Sequence, residues 1–154
     1  MRRIFLAALL AAATGRAHAT AIAEPFEPIL VSVTLSPKAA DRLNRSGDPV
    51  LVRARYRFQP PHRIARTLPE GEVFLGRESV EVRSETGRAR LTGRNYRPEA
   101  IDPLMAGQRM VLIDVASGRE GRAANILDCG IFEDTLREAA RRPVAIDCRL
   151  VGEE

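Results

Sequence analysis

Val50-Leu51-Val52-Arg53-Ala54-Arg55-Tyr56-Arg57-Phe58 is the stretch that decides the fold. Val50, Val52, Ala54, Tyr56 and Phe58 point to one side of an extended chain, and Leu51, Arg53, Arg55 and Arg57 point to the other. That period of two is the signature of a strand with one buried face. Pro60-Pro61 ends it.

Upstream, Ile29, Val31, Val33 and Leu35 alternate with Leu30, Ser32 and Thr34, predicting a second strand. Ser36-Pro37 then predicts a turn or short helix that ends near Gly47, because serine caps free amides and proline suits the first helical position. Downstream, Val73 to Gly76, Val80 to Ser84 and Arg88 to Thr92 read as short strands of a meander, with Gly71, Gly76, Gly87 and Gly93 as punctuation. The apolar run Met110 to Ala116 predicts a central strand, and Ser117 to Arg122 a turn or loop before Asn125 to Cys129. Over Ile131 to Arg142 the period changes. Phe132, Leu136, Ala139 and Ala140 share a helical face, with Glu133 and Asp134 early, Arg137, Arg141 and Arg142 late, and Pro143 as the stop. Val144 to Val151 returns to the strand pattern.

The expected fold is therefore mainly β: an antiparallel β-sandwich or partly open barrel of about seven or eight short strands. One α-helix, over about 131–142, would lie between the last two strands. The 154 residues, 45% of them hydrophobic and 29% charged, suit one domain with its own core. Residues 29–154 are read as that domain and residues 20–28 as an extended lead-in with little ability to pack. Such a pattern looks like that of small exported β-sandwich modules, a likeness that covers many activities.

Residues 1–19 read as a cleaved signal peptide. Met1-Arg2-Arg3 is basic, Ile4 to Ala13 is apolar or small, and Ala17-His18-Ala19 fits the small-x-small cleavage rule. Arg2-Arg3-Ile4-Phe5-Leu6 also partly resembles a twin-arginine export signal. Cleavage removes Arg2, Arg3 and Arg16 but no acid, so 24 basic residues become 21 against 20 acidic ones and the net charge falls from +4 to +1. A nucleic-acid partner is not expected, since a general binder needs a positive field that survives maturation. The apolar run is too short to span a bilayer, and no cysteine precedes Cys129 to accept a lipid, so no stable membrane insertion is expected after cleavage. The implied location is periplasmic or secreted.

In that setting Cys129 and Cys148 predict a structural disulfide. Two thiols without a nearby histidine make half a zinc site at best, and no metal or cofactor is called for. Leu127 and Cys129 should face the core with Ile146 and Cys148, turning Asp128 and Asp147 to the other side. If the bridge joins neighbouring strands, the two aspartates could couple or bind a cation. Pairing with an arginine such as Arg149 is the simpler fate for each. His62, in a proline-rich loop, lacks any nucleophile motif around it and reads as a surface residue. Tyr56 and Tyr96 could stack on a ligand, but Tyr56 lies on the apolar side of its strand and reads as core, and there is no tryptophan for a carbohydrate platform.

Arg53, Arg55 and Arg57 form the candidate binding row, three guanidinium forks spaced about 6–7 Å apart on one strand face. They could hold phosphate or carboxylate groups, or pair across strands with Glu72, Glu81 or Glu85. The leading expectation is a non-enzymatic binding or interaction module of the cell envelope, inhibitor-like or an accessory subunit. Its partner would be an envelope or secreted protein or an anionic envelope ligand, met by the row and by the loops 59–70 and 94–108. The alternative is a small hydrolase or cation-dependent enzyme using Asp128 and Asp147.

Overall fold

The alternating stretch around Arg55 forms the centre of the molecule. In the computed structural model, which describes residues 25–83, 87–102, 104–118 and 124–153, it is β2 (Val50–Gln59), hydrogen-bonded on both sides. β3 (Val73–Val82) flanks it antiparallel on one side and β5 (Gln108–Ser117) antiparallel on the other. β7 (Phe132–Thr135) pairs with the outer edge of β5, completing a sheet of order β3-β2-β5-β7. A second sheet of order β4-β1-β8-β6 comprises β4 (Arg88–Leu91), β1 (Ile29–Leu35), β8 (Val144–Leu150) and β6 (Leu127–Cys129). The expected sandwich is thus present, with one refinement: β1 and β8 run parallel, so the second sheet is mixed.

The two inner faces make one core. Ile29, Val31, Val33, Ala89, Leu91, Leu127, Val144 and Ile146 from one sheet pack with Val50, Val52, Ala54, Tyr56, Phe58, Leu75, Val111, Ile113 and Val115 from the other. All are buried. Truncating one of the larger aliphatic members to alanine would cost about 2–5 kcal/mol through lost transfer energy and the cavity left behind.

Among the described residues, three α-helices sit at the margins. α1 (Pro37–Ser46) follows the expected signals: the Ser36 hydroxyl accepts from the Ala39 amide at 3.1 Å, Pro37 opens the helix, and Gly47 closes it at φ 69°. Ala39 and Leu43 bury its apolar side. Within the proline-rich stretch expected to be a surface loop, α2 (His62–Ala65) forms a single turn. α3 (Leu136–Arg141) corrects the helix expected over 131–142. Residues 132–135 are strand β7, registered from Ile113↔Phe132 to Met110↔Thr135. Thr135 is the reason the helix begins late, since its hydroxyl accepts from the Glu138 amide at 3.2 Å and so caps the first turn. The spacing of Phe132 and Leu136 mimics a helical face, but the edge of β5 offers Phe132 backbone partners that local propensity does not anticipate. Among the described residues no helix is long and apolar enough to cross a membrane.

The disulfide joins Cys129 and Cys148, which stand directly opposite each other in β6 and β8. Their sequence separation of 19 closes a loop worth about 3 kcal/mol in the chain-entropy model. The bridge locks the strands that flank β7 and α3, as the cysteine spacing implied.

Two further expectations are corrected. In the described part of the lead-in, residues 25–28, Phe26 packs although its neighbours are exposed: its ring lies 5.4 Å from those of both Tyr56 and Tyr96. It also rests over Gly93, where an added Cβ would come within 2.5 Å of it. Residues 73–76 and 80–82 are not in separate strands either. Both belong to β3, Gly76 sits at a bulge instead of a turn, and Ser84 lies outside the described residues. The expected signal peptide, residues 1–19, lies outside the described residues.

Candidate functional site

The outer face of β2 carries the arginine row, and each member has a carboxylate partner. Arg53 Nε donates to Asp114 Oδ1 at 2.5 Å, on the directly opposed rung of β5. Arg55 reaches Glu70 at 2.9 Å and Glu72 at 3.3 Å. Arg57 bridges Glu72, at 3.0 Å, and Glu133 of β7. Glu72 therefore pairs with the row, as the spacing allowed; Glu81 takes no part, and Glu85 lies outside the described residues. Exposed ion pairs are worth little individually. A network spanning three strands and a loop nonetheless fixes where the guanidinium groups point.

The bulge in β3 adds two residues that the strand pattern alone would have separated. Arg57 opposes Phe74, Tyr56 opposes Gly76, and Leu75 is the extra residue between them, turned into the core. In a regular strand positions 74 and 77 would face opposite sides. The bulge shifts the alternation by one, so Phe74 and Arg77 share the outer face while Leu75 and Glu78 turn inward. Gly76 is required here. Its φ is 133°, and an added Cβ would lie 1.9 Å from the Asn95 carbonyl oxygen. That close approach is part of a wall along the edge of β3: the Arg97 amide donates to the Leu75 carbonyl at 2.7 Å, and Asn95 Nδ2 to the Arg77 carbonyl at 3.0 Å. The stretch 94–108, expected as a surface loop, thus begins by sealing a sheet edge.

Phe74 is 52% exposed, and the Arg55 guanidinium sits 5.8 Å above its ring centroid. Arg77 directly opposes Arg55 across the strands. Arg53, Arg55, Phe74, Arg77, Ser79, Leu112 and Asp114 line an open groove of about 460 Å³. The outer face is therefore cationic and aromatic at one place, and charge-neutralised around it.

Behind the groove lies a buried acid. Glu78, 6% exposed, opposes Ala54 and faces the core. Tyr56 donates its hydroxyl to Glu78 Oε2 at 3.0 Å. The backbone amides of Thr92 (3.0 Å), Gly93 (2.7 Å) and Arg94 (3.3 Å) and the Thr92 hydroxyl (3.1 Å) donate as well. Burial alone would raise the pKa of this carboxyl. Hydrogen bonds from the Thr92 amide, Tyr56, Gly93 and the Thr92 hydroxyl outweigh it and hold the pKa below the ordinary glutamate value. Burial, then the charge of Glu78 and the hydrogen bond to it, raises the pKa of Tyr56. The Tyr56 ring packs edge-on against Tyr96, 5.6 Å away, so both tyrosines belong to the interior and neither forms a stacking platform. Glu78 is a clamp that ties β3 to the turn after β4.

The two aspartates lie on the outer face of the other sheet. Asp128 opposes Arg149, not Asp147, and Arg149 Nε donates to it at 3.2 Å. Asp147 is registered against Thr34 of β1. Among the described residues no three His, Cys, Asp or Glu side chains are grouped to hold a metal ion. His62 opens α2 and is exposed.

Phe74, Arg77 and Glu78 were not singled out in the sequence. Glu78 had a signal there: it shares a side with Val80 and Val82, an acid in line with apolar neighbours. Phe74 and Arg77 had none, because their shared face depends on the bulge. Compared with known protein families, curated proteins and solved structures, the chain matches none.

Proposed function

We propose that the chain is an exported, non-enzymatic interaction module of the cell envelope, meeting an envelope or secreted protein through the outer face of the β3-β2-β5-β7 sheet. The observation that carries this reading is the exposed Phe74 seated beside Arg55 and Arg77 at an open groove. Aromatic and arginine side chains dominate binding energy at protein interfaces, above all where neighbouring groups hold them in place. Here Glu70 and Glu72 hold Arg55, and Asp114, Glu72 and Glu133 hold the neighbouring Arg53 and Arg57. A bulk anionic ligand is less suited to the face, because those same carboxylates neutralise Arg53, Arg55 and Arg57. Export is supported by the basic and apolar start of the sequence and by the Cys129–Cys148 bridge, a bond favoured in oxidising compartments.

The test is a pull-down from envelope extract with oxidised chain 20–154, comparing wild type, Phe74→Ser and Arg88→Glu. A stoichiometric protein partner retained by wild type and by Arg88→Glu, which alters the opposite sheet, and lost with Phe74→Ser is the expected result. A partner captured equally by all three removes this face from the reading.

A further inference from the structure

We propose that the groove between Arg55, Arg77 and Phe74 receives an acidic segment of a partner protein, one carboxylate bridging the two guanidinium groups and a neighbouring apolar side chain lying on Phe74 and Leu112. The proposal rests on reading this face as the interaction surface, and it adds the chemistry of what binds there.

The first support is electrostatic. Two arginines directly opposed across antiparallel strands repel each other. Arg55 is compensated by Glu70 and Glu72, whereas Arg77 has no ion-pair partner among the described residues. Asp114, Glu72 and Glu133 are committed to Arg53 and Arg57. Glu81, on the same strand face as Arg77, is four residues away, roughly 13 Å along an extended chain. One guanidinium thus projects into the groove with its charge unanswered, next to a second whose position is already fixed. A planar carboxylate can take two parallel N–H donors from one fork while accepting from the other.

The second support is the mixture of lining. Phe74 and Leu112 offer apolar surface within reach of the cations. A membrane surface or a nucleic acid presents many phosphates at once and gains from a broad positive field. Such a field is missing, since Arg53, Arg55 and Arg57 are all neutralised. A single uncompensated charge beside apolar surface instead selects a local acid within an otherwise neutral, partly apolar segment. The bulge at Gly76 is what brings Phe74 and Arg77 to the same side, so local geometry unites the two halves of the recognition.

A random heptapeptide library displayed on phage and selected against immobilised, oxidised chain 20–154 tests the proposal. Selection should enrich Asp or Glu next to a large apolar residue. The best peptide, made synthetically, should bind wild type and Arg88→Gln alike and weaken at least about tenfold with Arg77→Gln, Phe74→Ser or its own acid changed to the amide. Enrichment of basic or uncharged motifs, or binding unmoved by Arg77→Gln, overturns it. Binding of phosphatidylglycerol vesicles abolished by Arg77→Gln, with no peptide selected, overturns it in favour of a lipid headgroup. If the envelope pull-down gives a partner through Phe74 while no acidic motif emerges, the interaction face stands and the acidic segment falls. If neither appears, both fall.

Discussion

Replacing Glu78 by glutamine changes one oxygen to an amide nitrogen and leaves the shape nearly intact. Its cost follows from the donors around it. Oε2 accepts from Tyr56, Gly93 and Arg94, and Oε1 from the Thr92 amide and hydroxyl. Glutamine keeps one acceptor oxygen and turns an NH₂ toward the other set of donors. At least one backbone N–H, on Thr92 or Gly93, then faces a donor inside the fold, and every remaining bond loses its charge. Hydrogen bonds to a charged group are worth about 1.5–3 kcal/mol, and an orphaned buried donor costs about 1–3 kcal/mol. The expected loss is about 3 kcal/mol, or roughly 10 °C in melting temperature for a domain of this size. The pH dependence has a definite sign. Because the folded pKa lies below the ordinary value, the carboxylate's contribution is complete above the unfolded pKa, near about 4.3, and is lost as pH falls through the folded pKa. Wild type and Glu78→Gln should therefore differ most at neutral pH and converge as pH falls through the folded pKa. Urea unfolding followed by circular dichroism suits a chain without tryptophan. A gap under about 0.5 kcal/mol at pH 7, or one that does not narrow in acid, would refute the clamp.

Other perturbations give separate readings. Gly76→Ala places a Cβ against the Asn95 carbonyl at a positive φ, so it should cost at least about 2 kcal/mol by urea unfolding and also abolish partner capture, because Phe74 and Arg77 lose their common face. Replacing Cys129 and Cys148 together by serine should cost about 3 kcal/mol, with no change in partner preference where the protein remains folded. Asp128→Asn removes only the exposed pair with Arg149 and should move stability by less than about 0.5 kcal/mol. On the export reading, the intact mass of the natively expressed protein should correspond to a chain beginning at Thr20; retention of residues 1–19 would contradict that reading.

The sequence was most informative where a single strand face or a single cap decides the structure. The alternation of Val50 to Phe58 predicts both the central strand and its arginine row. Ser36 and Gly47 bracket α1 because each acts through hydrogen bonds within a few residues. The cysteine spacing located the β6–β8 pairing, since a bridge imposes proximity whatever the register. What escaped depends on partners distant in the chain. Phe132 to Thr135 form a strand only because β5 presents an open edge. Phe26 finds its place only once Tyr56, Gly93 and Tyr96 converge. Likewise, the pairing of Arg55 with Arg77 needs the register of β2 and β3, which a glycine at 76 alters by one residue without announcing whether it is a turn or a bulge.

The central claim is that this one sheet face makes the contact. Placing a photo-crosslinking amino acid at position 74, and separately at position 30, where Leu30 is exposed on the other sheet, tests it in the oxidised protein. The account predicts one discrete adduct from position 74 that disappears with Arg77→Gln, and none from position 30. Adducts from position 30 alone would contradict it.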